Sequence, residues 1–117
     1  MFSGVVIHGD SIGKELGCPT ANLNISPKKT QLGDGVYAGR AFLDRKEYRA
    51  VIVIQHQIKK VEVHLLDYNG IDFYGSVISV EPIQQVSQME KIDTVEELRA
   101  KIQSDLIRVK NVFDDEL

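Results

Sequence analysis

The apolar residues of this chain keep two different periods, and the change between them constrains the fold more than any other feature. Up to about residue 83 they come in short runs or alternate with polar residues, and turn residues separate the runs. Phe2 to His8 reads as a first strand. Gly35-Val-Tyr-Ala-Gly-Arg-Ala-Phe-Leu43 reads as another, bounded by Gly33-Asp34-Gly35 and by Asp44-Arg45. Glu47 to Gln55 contains the run Val51-Ile-Val-Ile54, which suits a strand buried on both faces. Val61, Val63 and Leu65 alternate with Glu62, His64 and Leu66 ahead of the turn signal Asp67-Tyr-Asn-Gly70, and Tyr74 to Ile83 supplies one more strand, with Pro82 near its end. From Thr94 the step becomes three and four. Val95, Leu98, Ile102, Leu106, Val109 and Phe113 line one side of a helix, and Thr94-Val-Glu-Glu97 has the form of a capping box at its start. Glu96, Glu97, Arg99, Lys101, Asp105 and Arg108 are then expected on its solvated side. Short strands at this spacing predict a closed barrel, with one amphipathic C-terminal helix packed on it.

With 117 residues, 43% of them hydrophobic and 26% charged, the chain has the material for one core, so residues 1–117 are expected to form a single domain. No stretch approaches the roughly 18 apolar residues of a membrane helix, and Met-Phe-Ser-Gly lacks the basic flank of a signal peptide. A cytoplasmic protein with no membrane partner is expected. The single cysteine, Cys18 beside Pro19, rules out an internal disulfide and a multi-cysteine metal site and reads as a small core filler. A net charge of −3, with Lys28, Lys29, Lys59 and Lys60 only in scattered pairs, gives no footprint for nucleic acid.

The stretch HGDSIGKELGCPTANLN, residues 8 to 24, follows neither period. Gly9-Asp-Ser-Ile-Gly13-Lys14-Glu15 resembles a P-loop at first sight, but the spacing between its glycines is three, Glu15 follows the lysine, and Gly17 and Pro19 prevent a helix. Two readings remain open: a plain connection, or backbone N–H groups freed by Gly9, Gly13 and Gly17 to turn toward an anion. In an extended Pro19-Thr-Ala-Asn22, Thr20 and Asn22 point to one side and Ala21 and Leu23 to the other. That pairs a hydroxyl with an amide oxygen, which suits Mg²⁺ held with phosphate oxygens, and equally suits an ordinary half-buried strand. Glu62 emerges opposite the core valines of Val61-Glu-Val-His64. It is either a solvated strand residue or a carboxylate placed to orient a hydroxyl and accept its proton during phosphoryl transfer.

Taken in order, these elements resemble the ATP-dependent riboflavin kinases, including the kinase module at the C-terminal end of bacterial bifunctional FAD synthetases. The resemblance covers nearly the whole chain. It rests on Gly4-Val-Val-x-His8-Gly9, on Gly13-Lys14-x-Leu16-Gly17-x-Pro19-Thr20-Ala21-Asn22-Leu23, on Gly35-Val36-Tyr37-Ala38-Gly39, on Val61-Glu62-Val63-His64, on Tyr74-Gly75, and on Glu96-Glu97-Leu98 with Ile102 and Asp105. Gly-x-Pro-Thr-Ala-Asn is the specific part. The resemblance implies a mainly β fold, a six-stranded antiparallel Greek-key barrel closed by a C-terminal helix. It also implies that the loop with Gly9, Gly13, Lys14, Gly17 and Pro19 covers the ATP phosphates, and that Thr20 and Asn22 hold Mg²⁺. Glu62 would activate the ribityl 5′-hydroxyl of riboflavin, with FMN and ADP as products. A monomer is expected.

Some positions depart from the family's pattern. The family usually carries a longer loop with Asn-Pro-Thr-Phe where this chain has Gln55-His-Gln-Ile-Lys-Lys60. Val86-Ser87 and Lys91-Ile92 stand where Leu-Arg and Lys-Phe are usual on the flavin side, and Ile12 stands where the glycine loop often has Arg. No His-x-Gly-His nucleotidyltransferase motif is present, so FAD synthesis is not expected. Two alternatives to the riboflavin kinase are therefore carried forward: a non-catalytic nucleotide- or flavin-binding descendant, and a kinase of a related alcohol. Tyr68, Phe73 and Tyr74 are candidates for stacking on a flavin or for the barrel's own packing.

Overall fold

In the computed structural model, which describes residues 1–7, 20–68, 73–89 and 94–115, six strands close into a barrel with the neighbour order β1-β2-β5-β4-β3-β6. The strands are β1 (Phe2–Ile7), β2 (Thr20–Leu23), β3 (Gly35–Leu43), β4 (Lys46–Gln55), β5 (Lys60–Leu65) and β6 (Val77–Ser87). A single-turn helix, α1 (Pro27–Thr30), follows β2, and the long helix α2 (Val95–Asp115) follows β6. Every pair of neighbours is antiparallel. β3, β4 and β5 run as a meander and β6 returns beside β3, which is the Greek-key arrangement.

Strand alternation decides what faces inward. Ala21 and Leu23, Ile52 and Ile54, and Val61, Val63 and Leu65 fill the interior together with Val6, Ile78 and Val80. Val51 is buried on the opposite face, so the run from Val51 to Ile54 is covered on both sides as its composition predicts. β3 and β4 meet in a two-residue turn, with Leu43 paired to Lys46 and with Asp44 and Arg45 at φ 50° and 68°. Those left-handed values match the twist of the flanking strands. Tyr68 packs edge-on between Tyr48 and Phe73, with centroids 5.4 and 5.1 Å away, and all three lie against the barrel interior. Tyr74 is exposed.

β6 runs from Val77 to Ser87, later than the Tyr74–Ile83 span expected, and Pro82 lies inside it. The register against β3 slips between Ala38 and Gly39, where Gly39 pairs with Pro82 and Ala38 with Gln84. That bulge accommodates a residue with no N–H to donate. Gly39 is required there, since a Cβ on it would meet the Glu81 carbonyl oxygen at 2.6 Å and Ile52 Cδ1 at 2.5 Å.

The capping box forms as expected: the Glu97 N–H donates to Thr94 Oγ1 at 3.1 Å. α2 lies outside the barrel on β3, β4 and β6, where Val109 and Phe113 join Val36, Ala38, Val51 and Leu66 in a second core. The Phe113 ring sits 5.8 Å from the Arg40 guanidinium and 5.9 Å from that of Arg49. Asp105, expected on the solvated side, is buried, and Lys101, expected there too, is half-buried beside it. Asp105 stands three residues after Ile102 and four before Val109, and so falls on the apolar stripe itself. Among the described residues no helix is long and apolar enough to cross a membrane.

Candidate active site

The outer face of β5 carries the sequence's polar candidates because its inner face is committed to the core. Lys60, Glu62 and His64 alternate with Val61, Val63 and Leu65. Glu62 is therefore held on a strand flanked on both sides, by β2 and by β4. It pairs in register with Asn22 on β2 and with Val53 on β4, while His64 pairs with Thr20 and Val51. The glutamate and the asparagine named from sequence are thus direct cross-strand neighbours on one face, although 40 positions apart in the chain.

Glu62 has a basic side chain on each side. Its Oε2 lies 3.6 Å from His64 Nε2 and its Oε1 lies 3.9 Å from Lys60 Nζ. Asn22 and His64 are buried, and Glu62 keeps partial exposure, with 16% of its side-chain surface open. Next to His64, between β3, β4, β5 and α2, is a cavity of about 30 Å³ bordered by Val51, Val53, Ile102, Leu106 and Asp105. This is room for water and not for a ring system, since pockets for drug-sized ligands are roughly 300 Å³ or more. Asp105 is engaged on both oxygens, by Lys101 Nζ and by Arg108, each at 3.0 Å, and Lys101 also donates to Ser87 Oγ at 3.1 Å. The expectation of a solvated position holds for Arg108 and fails for Asp105, whose helical spacing marks it as inward.

Gly9, Gly13, Lys14, Gly17 and Pro19, with Cys18, lie outside the described residues, and of Thr20 only the backbone is described. The β4–β5 connection closes in four residues, 56–59, between the paired Gln55 and Lys60. It is fastened to the segment before β3, because His56 donates its backbone N–H to Asp34 Oδ1 and its Nε2–H to the Leu32 carbonyl, both at 2.7 Å.

Of the expected metal pair Thr20 and Asn22, the Asn22 carboxamide lies among the described side chains, and its oxygen would suit a hard cation. The Asn22 carboxamide and Glu62 carboxylate stand in register, and among the described residues no three His, Cys, Asp or Glu side chains converge on one point. Mg²⁺ at such a place would take its remaining ligands from phosphate and water, as it ordinarily does.

A family model described as Flavokinase, riboflavin kinase, matches residues 1–113. The chain belongs to the riboflavin kinase family. It is 31% identical over 113 residues to the bifunctional riboflavin kinase/FMN adenylyltransferase of Bacillus subtilis, covering 89% of this chain and 35% of that protein. It is 33% identical over 123 residues to the enzyme of the same description from Escherichia coli, covering 96% of this chain and 37% of that protein. The chain thus spans a little over one third of the length of these curated relatives. The crystal structure of riboflavin kinase from Trypanosoma brucei shares the fold, with a TM-score of 0.72 at 22% identity over 96% of this chain and 75% of that one.

Proposed function

We propose that the chain transfers the γ-phosphoryl group of ATP to the ribityl 5′-hydroxyl of riboflavin, giving FMN and ADP. The observation that carries this reading is the registered pair of Asn22 and Glu62 on the outer face of adjacent strands. It puts an amide oxygen beside a carboxylate that keeps partial exposure, as a metal-assisted transfer to an alcohol requires.

Glu62 accepts the hydroxyl proton as the oxygen attacks the γ-phosphorus, and its strand fixes the direction from which it does so. Asn22 and Thr20 would hold Mg²⁺, which when bound would neutralise charge on the phosphates. Gly9, Gly13, Lys14, Gly17 and Pro19 form the cover over those phosphates. Little covalent work falls to the protein, because phosphoryl transfer passes through a loose transition state. Placement and fixed charge supply most of the acceleration. Of the two activities named for the bacterial relatives, this proposal takes up the kinase alone.

The deciding experiment is chromatographic detection of FMN from riboflavin, ATP and Mg²⁺, with a metal-free control. Metal-dependent FMN is the expected result. The four-residue β4–β5 connection favours one second reading, a kinase of a related alcohol with an altered acceptor rim. ADP release with other ribityl or sugar-like alcohols, without FMN formation, selects that reading. No ADP with any acceptor leaves the non-catalytic descendant.

A further inference from the structure

We infer that His64 is a positioning residue for Glu62: it holds one carboxylate oxygen so that the other meets the acceptor hydroxyl. The inference rests on the kinase reading above and adds to it a part for the C-terminal helix. Two basic side chains flank Glu62, and they differ in how firmly they are held. Lys60 stands at the start of β5, next to the turn, and 36% of its side chain is exposed. His64 has 9% of its side chain exposed and stands inside the sheet, between Thr20 and Val51. Its ring borders the small cavity whose opposite side is Ile102, Leu106 and Asp105 of α2.

The ring is therefore confined between the strand and the helix, with Nε2 directed at Glu62 Oε2. A free glutamate side chain loses rotamer freedom when it is fixed, so a rigid neighbour beside it pre-sets the reactive geometry. At 3.6 Å the two groups are just outside hydrogen-bonding range, and closure onto substrate is the step that shortens such contacts. The C-terminal helix thus acts on the chemistry at second hand, because Ile102 and Leu106 help to wall the small cavity that the His64 ring borders.

The test is a kinetic cycle of the wild type, His64→Leu, His64→Gln, Glu62→Gln and the double variant His64→Leu/Glu62→Gln, joined to ¹⁵N shifts of the imidazole nitrogens. His64→Leu is expected to lower kcat about 10- to 100-fold while the KM for ATP changes less than about twofold. His64→Gln, whose amide N–H reaches a similar point, should recover much of that loss, and adding His64→Leu to Glu62→Gln should cost nothing more. Equal losses in the two His64 variants, or full multiplication of losses in the double variant, overturn the inference. In the spectra, the Nε2 resonance of His64 should move on Glu62→Gln; a ring indifferent to that change overturns it without reference to activity. If the wild type forms no FMN while the spectra show His64 responding to Glu62, the kinase reading fails and the His64–Glu62 contact stands.

Discussion

The barrel's outer wall has two halves that follow the same strand geometry and do different things. On β3 and β4 the outward side chains are Val36, Ala38 and Val51, and α2 covers them with Val109 and Phe113. On β1, β2 and β5 the outward residues include Val5 and Ile7, both exposed, together with Asn22 and Glu62. Alternation turns residues outward equally in both, so the difference lies in what those residues are. The first half gains stability by burying apolar area under a helix, and the second carries Asn22 and the partly exposed Glu62, the pair on which the proposed function rests. His64 stands on the seam between them. Substitutions in the two halves should therefore separate, one set changing stability and the other changing turnover.

The largest effect should come from Glu62→Gln, which keeps the shape of the side chain and removes the proton acceptor. Turnover is expected to fall about 10²- to 10⁴-fold with the unfolding midpoint unchanged. A parallel loss of stability would break the division. Phe113→Ala is the opposite case, because it empties a site packed between two guanidinium groups and the second core. It should cost about 3 kcal/mol in chemical denaturation while the folded fraction turns over at the wild-type rate. Asn22→Leu, in the polar half, should weaken Mg-ATP binding about tenfold. Calorimetry with and without Mg²⁺ should show that the loss appears only when the metal is present.

The smallest effect lies inside the barrel, on neither wall. Burial, and secondarily the nearby Asp34 carboxylate, push the Tyr37 phenol above its ordinary 10.0, and its hydroxyl donates to the Gly33 carbonyl at 2.8 Å. The folded state therefore holds this proton more tightly than the unfolded chain. Its contribution is fully present below the unfolded value and is lost as pH rises through the folded one. Denaturation midpoints followed from about pH 9 to about pH 11 should decline more steeply in the wild type than in Tyr37→Phe.

Much of this division can be read from sequence, and the parts that cannot have physical reasons. β3 has the bounds its turn residues predict, and Thr94 caps α2 as its spacing predicts, because both depend on neighbours a few positions away. The span of β6 is not legible. Pro82 reads as the end of a strand, and only the slip opposite Gly39, a residue 43 positions earlier, lets the strand pass through it. The candidate pair of Thr20 and Asn22 is legible as an alternation on one strand, and Glu62 as another. That Asn22 and Glu62 face each other follows from the β2–β5 pairing, which no local pattern encodes. Asp105 is a different kind of miss. Its position on the helix marks it as inward, but its charge suggests solvent, and Lys101 with Arg108 resolves the conflict by supplying partners.

The pairing of β2 with β5 also has a consequence for the order of assembly. β3, β4 and β5 are joined by connections of two and four residues, so their hairpins can form early at small entropic cost. β2 and β1 must then be brought across a long stretch of chain before the ring is complete. A partly unfolded molecule that has only the meander pairs Glu62 with Val53 on β4 and leaves its other side without Asn22. Under the proposed function, the Asn22–Glu62 pair exists only once the ring has closed.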